Sequence, residues 1–199
     1  MLFRSSKPKG RNKVTTSIIS NNQLKNLIQG IDRKIINNEQ VFWVLPHIGD
    51  SENDDKKVTV ITRYNFLKKI FGNKVGIIHG KMSNEEVDKN MDEFKKKEKM
   101  ILISTTVIEV GINIPSATLI VIEEANRFGL AQLHQLRGRI ARSSLPSNCV
   151  LLHDHNLSEN AVKRLLILKN SNDGFKIAEQ DLELRGAGDF FGTNQSGMP

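Results

Sequence analysis

Two arginines three residues apart, Arg139 and Arg142, lie in the run "GLAQLHQLRGRIARS" (129–143), behind a glutamine, Gln135, and a glycine, Gly138. Arginine is always charged and presents a planar fork of donors that matches phosphate oxygens better than a lysine ammonium does. Two such groups on one face of a short turn repel each other, so the pattern asks for a strongly negative partner opposite them. A surface pair held by salt bridges is the plain alternative. A second run, "STTVIEVGINIP" (104–115), follows the apolar stretch "ILIS". Ser104, Thr105 and Thr106 offer hydroxyls and backbone N–H groups at an expected helix start, a place where phosphate binds readily. The same residues would serve equally as a helix cap.

These groups need a scaffold, and the hydrophobic pattern supplies one. Short β-branched runs recur at 14–19, 41–45, 75–78, 101–104, 118–122 and 149–152. Their nearly continuous apolar character marks strands covered on both faces, as in parallel sheets. Between them Leu24, Leu27, Ile28 and Ile31 fall at helical spacing, as do Val60, Tyr64, Leu67 and Phe71, and then Val87, Met91 and Phe94. Ser83 with Glu86 three residues later reads as a capping box for the third helix. The alternation predicts an α/β domain with a mostly parallel sheet over residues 14–156. In such sheets ligands sit beyond the carboxyl ends of the strands. Both the run after "ILIS" and the run "GRIAR" are expected on that side.

After Asp154 the rhythm changes. "LSENAVKRLLILK" (157–169) reads as a helix capped by Ser158, with Leu157 placed to staple onto Val162. "NDG" (172–174) is a turn signal, and "FKIAEQDLELR" (175–185) a second helix. "GAGDFFGTNQSGMP" (186–199), with Gly186, Gly188, Gly192 and Gly197, reads as a loop. The tail, 157–199, is thus a helical hairpin with a glycine-rich strap. At the other end, residues 1–13 form a basic linker carrying Arg4, Lys7, Lys9, Arg11 and Lys13 and no acid.

Composition narrows the class. Twenty-nine basic against 22 acidic residues give a net charge of +7, which favours an anionic partner, although charge alone also serves solubility. No apolar run reaches membrane-spanning length, and the opening residues lack the core of a signal peptide, so a cytoplasmic protein without a membrane role is expected. A single cysteine, Cys149, excludes an internal disulfide and gives no metal cluster; it reads as a small buried hydrophobe. Nothing marks a dimer seam, so a monomer is expected.

Taken together and in order, four runs carry a specific resemblance: "VFWVLPHIGDSE" (41–52), "VGIIHGKM" (75–82), "ISTTVIEVGINIPSATLIVIEEANRFGLAQLHQLRGRIARS" (103–143) and "LKNSNDGFKIAEQDLELRGAGDFFGTNQSG" (168–197). The chain resembles the second RecA-like motor domain of superfamily 2 helicases. Its tail resembles the translocation motif of the branch-migrating members. The resemblance implies a RecA-like sheet followed by the hairpin and strap, and a nucleotide, ATP with Mg2+, held mainly by a first motor domain. Gln135, Arg139 and Arg142 would then reach across the cleft as catalytic groups, one arginine acting as the finger that stabilises charge spreading over the transferred phosphoryl group. Gly111, Asn113 and Gly138 would lie against the nucleotide. Thr105, Thr106 and the backbone around His79 and Gly80 would grip DNA phosphates; outside the resemblance, His79 reads as a turn histidine. Arg185 and Gln195 would couple closure of the motor to movement on duplex DNA, where Arg185 alone reads as a cation at a helix C-terminus.

The implied partner is branched double-stranded DNA: stalled forks to be regressed and Holliday junctions to be migrated in recombination and repair. Ala141 stands where the family has a glycine and Asn113 where it has an aspartate, and the loop "HIGDSE" lacks an acidic pair. The sequence contains no GxxxxGK[ST] phosphate loop and no magnesium-binding acidic box. The family's N-terminal wedge and first motor domain are likewise missing, so this chain is expected to be an excised piece or a split-gene product, inactive as an ATPase alone. The competing readings are the same domain in a transcription-repair coupling factor and a non-catalytic DNA- or protein-binding remnant.

Overall fold

All six expected strands form, and every pairing between them is parallel. The computed structural model describes residues 14–46, 58–105, 114–140, 145–154 and 156–190, with side chains described to 184. In chain order the elements are β1 (Thr15–Ser20), α1 (Leu24–Ile36), β2 (Gln40–Leu45), α2 (Val60–Phe71), β3 (Val75–Ile78), α3 (Asn84–Lys95), β4 (Ile101–Thr105), β5 (Ala117–Ile122), α4 (Leu130–Gly138), β6 (Asn148–His153), α5 (Glu159–Asn170) and α6 (Gly174–Phe190). The strands lie in the order β1-β6-β5-β2-β4-β3.

Side chains on successive strand residues point to opposite faces, and here both faces are apolar. Phe42, Val44, Leu102, Ile120 and Leu151 face α3, α4 and α5, where they meet Phe94, Leu133 and Leu165. Val41, Trp43, Ile103, Val121 and Leu152 face α1 and α2, where they meet Ile31 and Leu67. The hairpin shares this core, because Leu165, Leu168 and Ile177 belong to the same cluster as the sheet. Among the described residues no helix is long and apolar enough to cross a membrane.

The expected helix starts are present. Glu86 N donates to Ser83 Oγ (3.3 Å) and Ser83 N donates back to Glu86 Oε2 (2.9 Å), a complete capping box. The backbone N–H and the hydroxyl of Ser83 hold the Glu86 carboxyl below its ordinary pKa. Ser158 Oγ accepts from Ala161 N (3.3 Å) at the head of α5. Leu157 packs against the core, with Val162 left exposed.

Two expectations are corrected. Ser104 and Thr105, expected at a helix start, have strand backbone and complete β4, in register with Val44 and Leu45 of β2, and the residues after Thr105 lie outside the described ones. The strand ladder there already satisfies the backbone groups that a helix start would leave open. The helix expected to end at Arg185 continues through Gly186 and Gly188 to Phe190. Each interior glycine costs about 1 kcal/mol relative to alanine, but an established helix gains a hydrogen bond for every residue added.

Candidate functional site

Residues 130–138 of the arginine-bearing run fold as α4. The chain leaves β5 at Ile122, makes a 3₁₀ turn at Ala125–Arg127 and enters α4 after Gly129. Leu130, Leu133, Leu136 and Ile140 are buried, whereas Gln135 and Gly138 are exposed and Arg139 is half-buried. Gln135 and Arg139, four apart, share the outer face of the helix. Arg139 N donates to Leu136 O (3.0 Å), which closes the last turn. The outer row therefore offers a carboxamide and a guanidinium, groups suited to phosphoryl oxygens. Among the described residues no cluster of His, Cys, Asp or Glu could hold a metal ion. A carboxamide and a guanidinium fit the phosphate end of a nucleotide.

The expectation that the arginine run stands at the carboxyl edge of the sheet is corrected for Arg139, which caps the far end of α4. Arg137 Nη1 lies 3.4 Å from Thr16 Oγ1, on the second residue of β1. Register carries that level across the sheet through Cys149, Ile120 and Phe42 to Leu102, three residues short of Thr105. The physical reason is the crossover. A helix joining parallel neighbours must return the chain from the carboxyl end of β5 to the amino end of β6, so the last turn of α4 lies beside strand beginnings.

Two of the residues expected to face DNA, His79 and Thr105, lie near each other at the carboxyl edge. Ile78 of β3 pairs with Ser104 of β4, which puts His79 and Thr105 at adjacent strand ends. Thr105 is only 3% exposed, and the hydroxyls of Ser104 and Thr105 have no hydrogen-bond partner among the described residues. His79 Nδ1 accepts from Lys81 N (3.3 Å) and its carbonyl accepts from Met82 N (3.1 Å), so the imidazole and backbone shape the turn that exposes Gly80. The N-terminus of α3 that follows is already filled by its own Glu86. Thr106, Gly111, Asn113, Ala141, Arg142 and Gln195 lie outside the described residues, as does the side chain of Arg185.

Three polar anchors escaped the sequence reading. Arg137 is buried on the inner face of α4, where Nη1 donates to Leu168 O (2.6 Å) and Ser171 O (2.8 Å) and Nη2 to His134 Nδ1 (3.1 Å). Arg164 of α5 donates to Asn126 O (3.1 Å) and Phe128 O (3.3 Å), pinning the segment that leads into α4. Glu123, just past β5, accepts from Trp43 Nε1 (2.7 Å) and Arg63 Nε (2.8 Å) and pairs with Arg63 Nη2. The usable signal for Arg137 was its place in the apolar row Leu130, Leu133, Leu136, Ile140. The other two depend on partners 36 or more residues away and left no local trace. Cys149 behaves as expected: burial pushes its thiol pKa up to about 12, which removes it from nucleophilic chemistry.

His134 gives a pH prediction. Burial, and then the charge of Arg137, hold its pKa below the ordinary 6.5, against a smaller opposite pull from Asp173. The unfolded chain therefore binds more protons below about pH 6.5, so stability falls as pH drops through that value toward the lowered folded one. Urea midpoints measured from about pH 7 to about pH 5 should show this slope, and His134→Asn should flatten it. An unchanged slope would remove His134 as its source.

Comparison with known proteins agrees with this architecture. The family model described as helicase conserved C-terminal domain matches residues 20–144, and the one described as ATP-dependent DNA helicase RecG, domain 3, C-terminal, matches residues 171–199. The ATP-dependent DNA helicase RecG of Bacillus subtilis is 44% identical over 194 residues, covering 96% of this chain and 28% of that protein. RecG of Synechocystis sp. is 44% identical over 193 residues, covering 96% of this chain and 23% of that protein. The chain thus spans about a quarter of the length of these relatives. A structure of RecG bound to a three-way DNA junction superposes with a TM-score of 0.76 at 39% identity, over 93% of this chain and 24% of that one. S. cerevisiae Dbp5 bound to RNA and ADP BeF3 shares the fold, with a TM-score of 0.54 at 18% identity over 87% of this chain and 44% of that one. With a six-stranded parallel RecA-like sheet, a hairpin packed on it and both matches in sequence order, the chain belongs to the helicase conserved C-terminal domain family in its RecG-type form.

Proposed function

We propose that this chain is the second motor domain and translocation hairpin of an ATP-dependent translocase that acts on branched double-stranded DNA, regressing stalled forks and migrating Holliday junctions. In this role Gln135, Arg139 and Arg142 approach a nucleotide whose phosphate loop and Mg2+ ligands come from a first motor domain. Thr105, Thr106 and the turn at His79–Gly80 track DNA phosphates without reading sequence, as a motor requires. The observation that carries the proposal is the division of α4. Its outer face presents Gln135 and Arg139, and its inner face is bound to the end of α5, in a chain that superposes on a 39% identical relative bound to a three-way DNA junction.

The test is reconstitution. Alone, the chain should turn over no ATP, with or without branched DNA. Mixed with a protein supplying the first motor and wedge domains, it should show hydrolysis stimulated by forked DNA well above that by linear duplex. Robust hydrolysis by the pure chain, or none in the mixture, would overturn the proposal.

A further inference from the structure

A buried arginine is expensive to keep, and Arg137 is 3% exposed with no carboxylate paired to it among the described residues. What faces it instead is the end of a helix. Leu168 O lies in the last turn of α5 and Ser171 O just beyond it, where unpaired carbonyls concentrate partial negative charge. A leucine would fill this space without the desolvation cost. The guanidinium does something a leucine could not: one planar group joins α4, the end of α5 and the start of β1. His134, one turn earlier on α4, completes the grip. Its Nδ1 accepts from Arg137 Nη2, and a Cβ built on Gly174, the first residue of α6, would come within 3.1 Å of its Nε2. Thus α4 holds the end of one hairpin helix and the beginning of the other.

Arg137 lies two residues from both Gln135 and Arg139, and about 200° around the helix from Gln135, on the opposite face. We infer that Arg137 is a positioning residue that makes α4 and the α5–α6 turn a single rigid body, so that displacement of the Gln135–Arg139 face is passed to the hairpin. This rests on the function proposed above and adds to it the residue through which force leaves the nucleotide face. Arg137 touches neither nucleotide nor DNA in this role.

The test compares Arg137→Lys and Arg137→Met with wild type in the complete helicase, assembled from this chain and a protein supplying the first motor domain. Two quantities are read on the same forked DNA: ATP hydrolysed and base pairs unwound. Lysine keeps the charge but cannot bridge two carbonyls and an imidazole in one plane. Unwinding should fall roughly tenfold more than hydrolysis, a loss of coupling that lysine does not rescue. Hydrogen exchange on the 199-residue chain should show lost protection confined to α6 and the α5–α6 turn, with sheet amides unaffected. Equal loss of hydrolysis and unwinding would reduce Arg137 to general stability, and no loss of either, with turn protection intact, would overturn the inference. Failure of the wild-type mixture to hydrolyse ATP on forks would instead sink the functional reading beneath it.

Discussion

Arg142→Ala is expected to lower fork-stimulated ATP turnover of the reconstituted helicase by roughly 10³–10⁵-fold, the usual worth of an arginine finger. Phosphoryl transfer asks little covalent chemistry of a protein, so the barrier is lowered chiefly by fixed positive groups placed where negative charge spreads. Arg139 is the nearest other candidate. It follows α4 directly, with its backbone N–H tied to Leu136 O, and shares a face with Gln135. Arg139→Ala should therefore cost less than Arg142→Ala if Arg142 is the finger, with the order reversed if Arg139 is. Single-turnover measurements at saturating ATP separate this loss from weakened binding. Unchanged turnover in Arg142→Ala would transfer the role to Arg139, and unchanged turnover in both would end the finger interpretation.

The second large effect concerns stability. Glu123→Ala is expected to destabilise the chain by about 3–5 kcal/mol, because it strands a buried guanidinium without its counter-charge. Glu123 is 1% exposed and Arg63 is 6% exposed. Arg63 also lies 5.4 Å from the Trp43 ring centroid and 5.2 Å from that of Phe66, so the cation is enclosed by aromatic faces once its carboxylate is gone. The loss is a large part of the roughly 5–15 kcal/mol available to a domain. Urea unfolding followed by circular dichroism would measure it. The double variant Arg63→Met, Glu123→Leu should recover part of the loss, since an apolar pair of similar size carries no charge to desolvate, while the buried Trp43 Nε1 still lacks its acceptor. A cost below about 1 kcal/mol for Glu123→Ala would mean that water reaches Arg63 after all.

The parts of this fold that were legible in the sequence are those written in local patterns. The strands announced themselves because both faces are buried, so runs such as "VFWVL" are apolar at every position. α3 announced its start because the side chains of Ser83 and Glu86 are bonded within three residues of chain. Where the outcome depended on a distant neighbour, the pattern misled. Thr105 resembles a helix cap in isolation but belongs to β4 because Leu45, sixty residues earlier, is waiting to pair with it. For Arg137 the apolar row on α4 is a local sign of burial, but its partners, Thr16, Leu168 and Ser171, are gathered by the fold alone. Arg139 lies toward strand beginnings because α4 carries the chain back to the amino end of β6, a path that no local pattern records.

That return path has a mechanical consequence. Arg137 sits over β1, level with Leu102 in β4, while Thr105 ends β4 four strands across and three residues further on. At ~4.8 Å between strands and ~3.3 Å per residue, the two places are roughly 20 Å apart in the plane of the sheet. Tilting a stiff plate of that span by about 10° swings its far corner through roughly 3.5 Å, close to the ~3.4 Å between successive charges along one strand of a duplex. In the motor proposed above, a sheet packed on both sides, pushed at one corner and gripping at the other, would turn so small a tilt into an advance of one nucleotide.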